Sequence, residues 1–466
     1  MAIGQEGFDV EPSVWDLTLG LHAAELPTDQ FADFACGTNG GPPSRPIGTW
    51  TDYALCSVED QTGWHEVYFQ YDDLYEYVAL ARSDLYRAAL FQFTSVYSRP
   101  VIASLLLDED GFTRGLRLVT DARVDLAIRE ESYTLGGFLQ ARYDGDWECE
   151  QMPPAEGETP YAGIFIKRVC NLIDLDEGVS RTVETNLFRR PGQTILNANN
   201  VPTEGYFESS TRLEEFMIGD INNREARLAE IAARPPPEQD QLVARAMDCP
   251  GCDLSGAILR RVDLRGANLA GANLEGASFH ASNLAGANLQ GANLRNANLN
   301  KTLLTRADLS GADLSHAMLY EARLDGADLS DTTMIGVFAG HSRMISADLS
   351  RAIVADSDLT SVRMTNVTAP NASFARNRLW NAQLSRSNFD GAIFARADML
   401  DVVATNASMI GADFRESNLY GADLRDSDLT DADFSGARMT TTILGRAILD
   451  GTNFEGAILP GGFTPP

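Results

Sequence analysis

The most regular pattern in the chain is an apolar residue at every fifth position of the C-terminal half. It runs from Leu254 to Leu459 through 42 successive positions without an insertion or a deletion. The residue two places before each is almost always small, and Asn377 is the one clear exception. A period of five fits neither the 3.6 residues of a helical turn nor the two residues of a strand. The pattern therefore predicts another regular structure, in which the same register points inward once in every five residues.

A coil with four flat sides and one pentapeptide on each side satisfies this period, because the chain then turns through a right angle every five residues. Such a coil takes 20 residues, and the aromatic core positions test that number independently. Five phenylalanines of the central register are spaced by 20: Phe374, Phe394, Phe414, Phe434 and Phe454. We therefore expect their rings to stack on one side of successive coils, in a dry apolar core.

The repeat has a specific consensus sequence. It reads Ala-(Asp/Asn)-Leu-x-x, as in Ala267-Asn-Leu-Ala-Gly271 and Ala422-Asp-Leu-Arg-Asp426, and it resembles the pentapeptide-repeat family. The resemblance covers residues 249–460, called the repeat region below, and leaves the residues before it unassigned. It implies a right-handed quadrilateral β-helix, a pentapeptide-repeat solenoid, and hence a mainly β protein.

The N-terminal part shows the shorter periods of strands and helices. Val67, Phe69 and Tyr71 alternate with their neighbours in 66–71, which predicts a half-buried strand. Residues 101–107 and 112–119 predict a hairpin around the Asp-Glu-Asp-Gly turn, and 161–169 predict a further strand.

A helix is predicted over 211–233, with Thr211 and Glu214 as a capping box, and it ends at Arg234-Pro-Pro-Pro237. A second, short helix is expected over 239–247. The resulting organisation is a β-rich α+β domain at 1–233 that ends in a helix, a Pro-rich linker at 234–248, and the repeat β-helix at 249–466.

Charge narrows the choice of partners. The formal net charge is −29, of which −23 lies before residue 249 and −6 after it. This balance argues against nucleic acid or an anionic membrane as a direct ligand, because both require Lys and Arg. No apolar run approaches the roughly 18 residues of a spanning helix, and residues 1–12 do not read as a leader. A cytoplasmic location is therefore favoured.

The cysteines leave the compartment partly open. Four of them form an even set before the repeats: Cys36, Cys56, Cys149 and Cys170. Reduced thiols are the favoured interpretation, and disulfides in a periplasmic or extracellular protein are the alternative. Cys249 and Cys252 form a CxxC, but both occupy the inward registers of the repeat. They are interpreted as core of the first coil, with a disulfide or a metal half-site as alternatives.

Catalytic chemistry is not indicated. The sequence shows no metal pair, no phosphate-binding glycine loop and no nucleophile elbow, so a catalytic site, a cofactor and a metal are not expected. The segment Gly37-Thr-Asn-Gly-Gly41 is interpreted as a plain loop. Three histidines, His280, His316 and His341, fall at outward positions of the repeat and are expected to be solvated.

Two outward columns follow from the 20-residue coil. The position after the central residue carries Tyr320, Trp380, Leu400 and Tyr420, a candidate interaction stripe that we expect to be covered by the chain's own N-terminal domain or by another molecule. The position before it carries Asp308, Asp328 and Asp348, a candidate acidic column.

These features favour a non-enzymatic interaction or scaffold protein with an unidentified protein partner or a second copy of itself. The resemblance also implies an alternative, a DNA-mimic modulator of DNA gyrase, since some members of the family act in this way. Two features weaken that alternative. The repeat region has a net charge of only −6, and five arginines interrupt its other outward columns: Arg260, Arg261, Arg265, Arg386 and Arg396. An N-terminal enzyme or ligand-binding domain positioned by the solenoid is the third hypothesis.

Overall fold

The computed structural model describes residues 13–85, 88, 94–191, 193, 195–196, 202–203, 207–234 and 238–465. They form two compact units, which are taken separately below. The first contains the described residues of 13–75 and 94–234, and the second contains those of 76–88 and 238–465. The prolines 235–237 of the expected linker lie outside the described residues.

An antiparallel sheet forms the first unit. Its strands are β1 (Phe31–Cys36), β2 (His65–Tyr71), β3 (Ser95–Val96), β4 (Arg99–Leu107), β5 (Thr113–Thr120), β6 (Glu148–Gln151), β7 (Ile166–Asp174), β8 (Val179–Phe188) and β11 (Glu208–Met217). The order across the sheet is β1-β2-β4-β5-β11-β8-β7-β6, and β3 pairs with β4. The two short strands β9 (Ile195–Leu196) and β10 (Pro202–Thr203) pair with each other.

The helices whose bounds fall within the described residues are short. They are α1 (Leu74–Ala81), α2 (Leu126–Glu130), α3 (Leu135–Arg142), α4 (Arg224–Ala233) and α5 (Glu238–Met247). Short 3₁₀ helices occur at Val14–Asp16, Ala23–Glu25, Trp50–Leu55 and Glu131–Thr134. Within the described residues, no helix has the length and apolar character needed to cross a membrane.

One face of the sheet is an aromatic core. Trp50 is fully buried, and its ring centroid lies 5.9 Å from that of Phe31 and 5.1 Å from that of Phe69. The indole Nε1 of Trp50 donates a hydrogen bond of 2.8 Å to the carbonyl of Pro27, so burial leaves no polar group of this ring unsatisfied. These contacts hold the 3₁₀ turn at Trp50–Leu55 against β1 and β2.

The other face carries buried charge. The guanidinium of Arg117 contacts the carboxylates of Glu59, Glu66 and Glu214 at 3.1, 3.0 and 2.9 Å. Glu66 also accepts the backbone N–H groups of Asn39 and Gly40, at 2.5 and 3.3 Å. The 37–41 segment is therefore a loop, as predicted, and the anion that it holds is a carboxylate of its own chain.

Two strand predictions are confirmed and one is displaced. The strand over 66–71 is β2, and the predicted hairpin is the antiparallel pair β4 and β5. In its turn, Asp108 Oδ1 accepts the backbone N–H groups of Asp110 and Phe112, which is turn chemistry. The strand expected over 161–169 begins only at Ile166 and runs to Asp174.

The helix predicted over 211–233 is wrong in its first half. Residues Glu208–Met217 form β11, which pairs on one side with β5 and on the other with β8. Ser209, Thr211 and Leu213 are buried in alternation, the period of a strand. Thr211 Oγ1 donates to the carbonyl of Ser132 and caps no helix. Only α4, at Arg224–Ala233, is helical, because two neighbouring strands outweigh the local helical pattern.

The expectation of reduced thiols is also wrong. The structure contains three disulfides: Cys36–Cys56, Cys149–Cys170 and Cys249–Cys252. Cys249 belongs to the apolar core of the repeat region and Cys252 packs against it, so the interpretation of the CxxC as core holds together with its disulfide alternative.

The repeat region pairs with itself through short parallel bridges rather than extended strands. Each bridging residue pairs with the residue 20 positions later, from Asp248 with Asn268 to Arg438 with Ile458. Bridging positions recur every five residues, so one 20-residue coil contains four of them. The predicted coil length is confirmed, and the described chain is mainly β.

The core of the repeat region is continuous and largely apolar. The central residues and the small residues before them are buried, most of them completely. The five phenylalanines stack as predicted, with ring centroids 5.1, 5.1, 4.6 and 5.5 Å apart between consecutive members. At the N-terminal end, Leu242, Val243 and Ala246 of α5 pack against this core, and the short helix predicted there is confirmed.

Candidate interaction site

The three apolar residues Trp380, Leu400 and Tyr420, called the apolar column below, occupy successive coils. The N–H of Asn381 donates to the carbonyl of Leu400 at 2.9 Å, and that of Asp401 donates to the carbonyl of Tyr420 at 3.0 Å. Trp380 is 36% exposed and Tyr420 is 48% exposed, while Leu400 is half-buried. The apolar column therefore presents two large rings to solvent.

Polar neighbours orient the tryptophan of this column. Trp380 Nε1 donates to Asp398 Oδ2 at 2.7 Å, and Asn418 Nδ2 donates to the other oxygen of Asp398, also at 2.7 Å. The guanidinium of Arg378 lies 5.2 Å from the centroid of the Trp380 ring and is itself bound to Asp358. Burial acts to raise the pKa of Asp358, but hydrogen bonds from Arg378 and Thr360 outweigh it and lower the pKa. These contacts fix the orientation of the Trp380 ring.

Tyr320, the fourth member of the predicted stripe, has a different environment. Tyr77 of α1, which belongs to the same compact unit, places its ring centroid 6.1 Å from that of Tyr320. The Tyr77 hydroxyl donates to Glu321 Oε2 at 3.1 Å, and Lys301 Nζ lies 4.1 Å from the centroid of the Tyr77 ring. The Tyr320 end of the predicted stripe is therefore covered by the chain itself.

The same contact buries two polar side chains of the repeat region. Asn300 is fully buried and donates from Nδ2 to the carbonyl of Tyr77 at 3.3 Å. His280 is fully buried too, with its ring 5.6 Å from that of Tyr77, so the expectation of a solvated His280 is wrong. His316 and His341 are exposed, as expected. The position of a residue in the repeat correctly predicted that its side chain faces outward. It could not predict which of these side chains another segment of the chain would bury.

The two tyrosines of this contact are half-buried. Burial raises the pKa of Tyr77 to about 12 and also raises the pKa of Tyr320. At the other end of this segment, the guanidinium of Arg378 donates to Ser83 Oγ at 3.4 Å. Residues 77–83 therefore run along the repeat region from the coil of Tyr320 toward the coil of Trp380. One face of the repeat region therefore already binds a helical segment.

The acidic column occupies successive coils, because Asp308 bridges to Asp328 and Asp328 bridges to Asp348. Each carboxylate accepts two hydrogen bonds from the serine two residues later, one from its backbone N–H and one from its hydroxyl at 2.5–2.7 Å. The three aspartates are half-buried. Much of their hydrogen-bonding capacity is satisfied locally.

A basic column lies on the next side of the coil, and the sequence analysis missed it. Arg323 bridges to Arg343, and Arg343 bridges to Arg363. The signal was available, since the three arginines are spaced by 20 in the same register as the aspartates.

The first unit contains a cavity of 470 Å³ whose charged groups are already paired. Its lining includes Tyr68, Gln70, Asp121, Arg123 and Asp125. Arg123 binds Asp121 with Nη2 at 2.7 Å and Nε at 2.9 Å, and Asp125 caps α2 by accepting two backbone N–H groups. Within the described residues, these pairings leave no converging set of free groups that would indicate a particular ligand.

A family model described as "Pentapeptide repeats" matches the chain in eight copies, at residues 248–286, 282–319, 297–336, 371–402, 382–419 and 407–446. No curated protein sequence gives a significant match.

Three solved structures illustrate the likeness. HetL, a pentapeptide-repeat protein of the cyanobacterium Nostoc sp. strain PCC 7120 involved in heterocyst differentiation regulation, is 28% identical over 48% of this chain and 96% of its own, with a TM-score of 0.23. QnrB1, a plasmid-mediated fluoroquinolone resistance protein, is 19% identical over 44% and 89%, with a TM-score of 0.28. A thylakoid-lumen pentapeptide-repeat protein of Arabidopsis thaliana is 32% identical over 26% and 77%, with a TM-score of 0.12.

Proposed function

We propose, for a chain whose repeat region is a member of the pentapeptide-repeat family, the role of a non-enzymatic interaction or scaffold protein. In this proposal the 20-residue bridges close a right-handed quadrilateral β-helix, which serves as a rigid frame. The apolar column is its docking face, and a helical segment of a protein partner is its occupant.

The observation that carries this proposal is the contact between Tyr77 and the coils around Tyr320. It supplies an internal example of what this face binds, namely an aromatic residue on a short helix. The apolar column continues the same line of positions, and the rings of Trp380 and Tyr420 are largely uncovered. Exposed Trp and Tyr are the residues that most often dominate binding energy at protein interfaces.

Acidic neighbours indicate the charge of that partner. Asp398 lies against Trp380, and the exposed Asp401 follows Leu400. A helix that presents an apolar residue to the apolar column would gain from Lys or Arg at its flanks, as Tyr77 gains from Lys301. The proposed partner segment is therefore amphipathic and basic.

The disulfides support an oxidising compartment for this protein. Three bonded pairs persist where glutathione and thioredoxin do not reduce them, which favours a periplasmic or extracellular location over the cytoplasm expected from the sequence.

The experiment is affinity capture with the double variant Trp380→Ser/Tyr420→Ser. We expect the partner that co-purifies with the wild-type protein from native cells to be lost, because both exposed rings of the docking face are removed. Mass spectrometry of the eluates and a binding titration with the identified partner measure the effect.

A matched control is Ile353→Ser/Ile393→Ser. These isoleucines are 46% and 39% exposed and also lie in the repeat region, but in a different register. This variant should retain the partner. Retention of the partner by the Trp380/Tyr420 variant, or its loss from both variants, would rule out the apolar column as the docking face.

The gyrase alternative lacks a comparable observation. A mimic of DNA needs a long surface of free negative charge. Here the acidic column is hydrogen-bonded to its own serines, and arginines of the coil corners are paired with carboxylates of neighbouring coils, as in Arg351–Asp331 and Arg376–Asp356. We therefore do not propose it.

A further inference from the structure

The basic column, Arg323, Arg343 and Arg363, is unusual on a protein of net charge −29. Arg323 and Arg363 are exposed, and the side chain of Arg343 is 39% exposed. Three like charges on consecutive coils repel one another, and no gain in core packing compensates for this. A stacked set of exposed guanidiniums is the arrangement that binds carboxylates or phosphates.

Carboxylates of the chain itself neutralise the basic column only in part. Asp325 is the carboxylate shared by the first two members, at 3.8 Å from Arg323 and 2.8 Å from Arg343. Among the described residues, the side chain of Arg363 makes neither an ion pair nor a hydrogen bond.

Further arginines extend the positive charge at the adjoining corner. Arg306 passes over Gly326, next to Asp325, with its Cγ 3.6 Å from the position that a Cβ would take there. Arg386 donates from Nε to Asn366 Oδ1 at 3.2 Å, three residues after Arg363. The other acidic residue at this side, Glu321, is bound to Tyr77. The side therefore carries a surplus of positive charge over about four coil steps.

The spacing of the basic column selects the shape of its ligand. Coils separated by a β-like distance of about 4.8 Å place the three arginines at roughly 0, 5 and 10 Å along the axis. An α-helix rises 1.5 Å per residue, so positions i, i+3 and i+7 fall at about 0, 4.5 and 10.5 Å. Alternate residues of an extended strand advance about 6.7 Å each, so the third such residue would lie about 3 Å beyond the third arginine.

We propose that the basic column binds an α-helix of a partner protein whose acidic side chains repeat at i, i+3 and i+7. The chain itself shows that a helical segment can lie along the repeat region, since residues 77–83 contact it from Asn300 to Arg378. This proposal adds a second docking face to the interaction role proposed above, on different residues, so either can fail alone.

Nucleic acid fits this side poorly. Asp328 and Asp348 follow Arg323 and Arg343 by five residues, so the acidic column occupies the next side of the same coils. A nucleic acid carries negative phosphates along its whole length, so one that reached the arginines would also meet these carboxylates. A helical peptide with acidic residues on one face places its negative charge against the arginines alone.

The test is fluorescence anisotropy with two labelled synthetic peptides of equal length and composition. One is a helical peptide with Glu at i, i+3 and i+7, and the other has the same residues in scrambled order. We expect the full-length wild-type protein to bind the first at least about tenfold more tightly, and Arg343→Glu/Arg363→Glu to lose at least about tenfold of that affinity.

The matched control is Arg376→Glu/Arg396→Glu, which makes the same charge change at two exposed arginines that are also 20 residues apart. It should bind like the wild type, and thermal melts should show that both variants are folded. The proposal is overturned if both peptides bind equally, if the wild type binds neither, if both variants lose binding alike, or if a DNA or RNA oligonucleotide binds more tightly. Normal peptide binding by Trp380→Ser/Tyr420→Ser would show that the two docking faces are independent.

Discussion

At the scale of single residues, Asn377 explains how the repeat tolerates a polar group in its core. The side chain is 1% exposed, but its Nδ2 donates to the carbonyl of Val354 at 2.8 Å and its Oδ1 accepts the N–H of Ser357 at 2.9 Å. Ser387 does the same for the carbonyl of Met364 and the N–H of Val367. The exception in the pattern is therefore a clamp between neighbouring coils.

Replacing this clamp should be costly, because a buried N–H and a buried carbonyl would lose their partners. We expect Asn377→Ala to lower the free energy of unfolding by about 1–3 kcal/mol. Asn377→Ser should recover most of the loss, since serine makes both bonds at residue 387. Urea denaturation followed by circular dichroism measures the difference, and an alanine variant as stable as the wild type would contradict the assigned role.

At the scale of the element, ion pairs connect the corners of adjacent coils. Several corner residues other than glycine have φ near +57°, a strained conformation for a side chain with a Cβ. Eight of these corner residues form four ion pairs between neighbouring coils: Arg351–Asp331, Arg376–Asp356, Arg396–Glu416 and Arg446–Asp426. The pairs offset part of the strain and keep successive corners in register.

These corner pairs should make the repeat region less stable in acid. Hydrogen bonds from the arginines lower the pKa of Asp331, Asp356, Glu416 and Asp426 from ordinary values of 3.8 for aspartate and 4.5 for glutamate. Their stabilisation is therefore complete above the ordinary values and is lost as the pH falls through the lower folded-state values. Circular-dichroism melts from pH 6 to pH 2 should show the melting temperature of the repeat region falling below about pH 4.

The size of that fall should depend on salt and on the arginines. All four pairs are exposed, so high salt should reduce their contribution. A variant with Gln in place of Arg351, Arg376, Arg396 and Arg446 should lose less stability over the same pH range. Equal pH dependence in this variant and the wild type would assign the effect to other carboxylates.

At the scale of the whole molecule, the two units are stabilised in different ways. The repeat region has one continuous apolar core, in which every coil contacts the next. The first unit combines a smaller core with buried charge and with disulfides that span 20 and 21 residues. Cys249–Cys252 spans only three residues and constrains the unfolded chain far less.

Reduction should therefore affect the two units unequally. Each long disulfide should contribute about 3 kcal/mol to the first unit through the entropy of its closed loop. Scanning calorimetry with and without dithiothreitol should show the transition of the first unit moving to lower temperature while that of the repeat region stays in place. Cys249→Ala/Cys252→Ala should leave both transitions nearly unchanged, and a large fall in the second transition on reduction would contradict this division.

The sequence by itself determined the coil, its 20-residue length, the stacked phenylalanines and the direction of the outward columns. A strict period needs only local repetition, since each coil has the same contacts as the one before it. The hairpin of β4 and β5 was also predictable, because its turn and its strands are adjacent in the chain.

Only the tertiary structure decided features that join distant residues. It turned 208–217 into a strand between β5 and β8, paired the cysteines, and buried His280 and Asn300 beneath Tyr77. It also divided the predicted stripe into a covered end at Tyr320 and an exposed apolar column. The physical reason is that burial depends on what packs against a position, and periodicity states only which way that position faces.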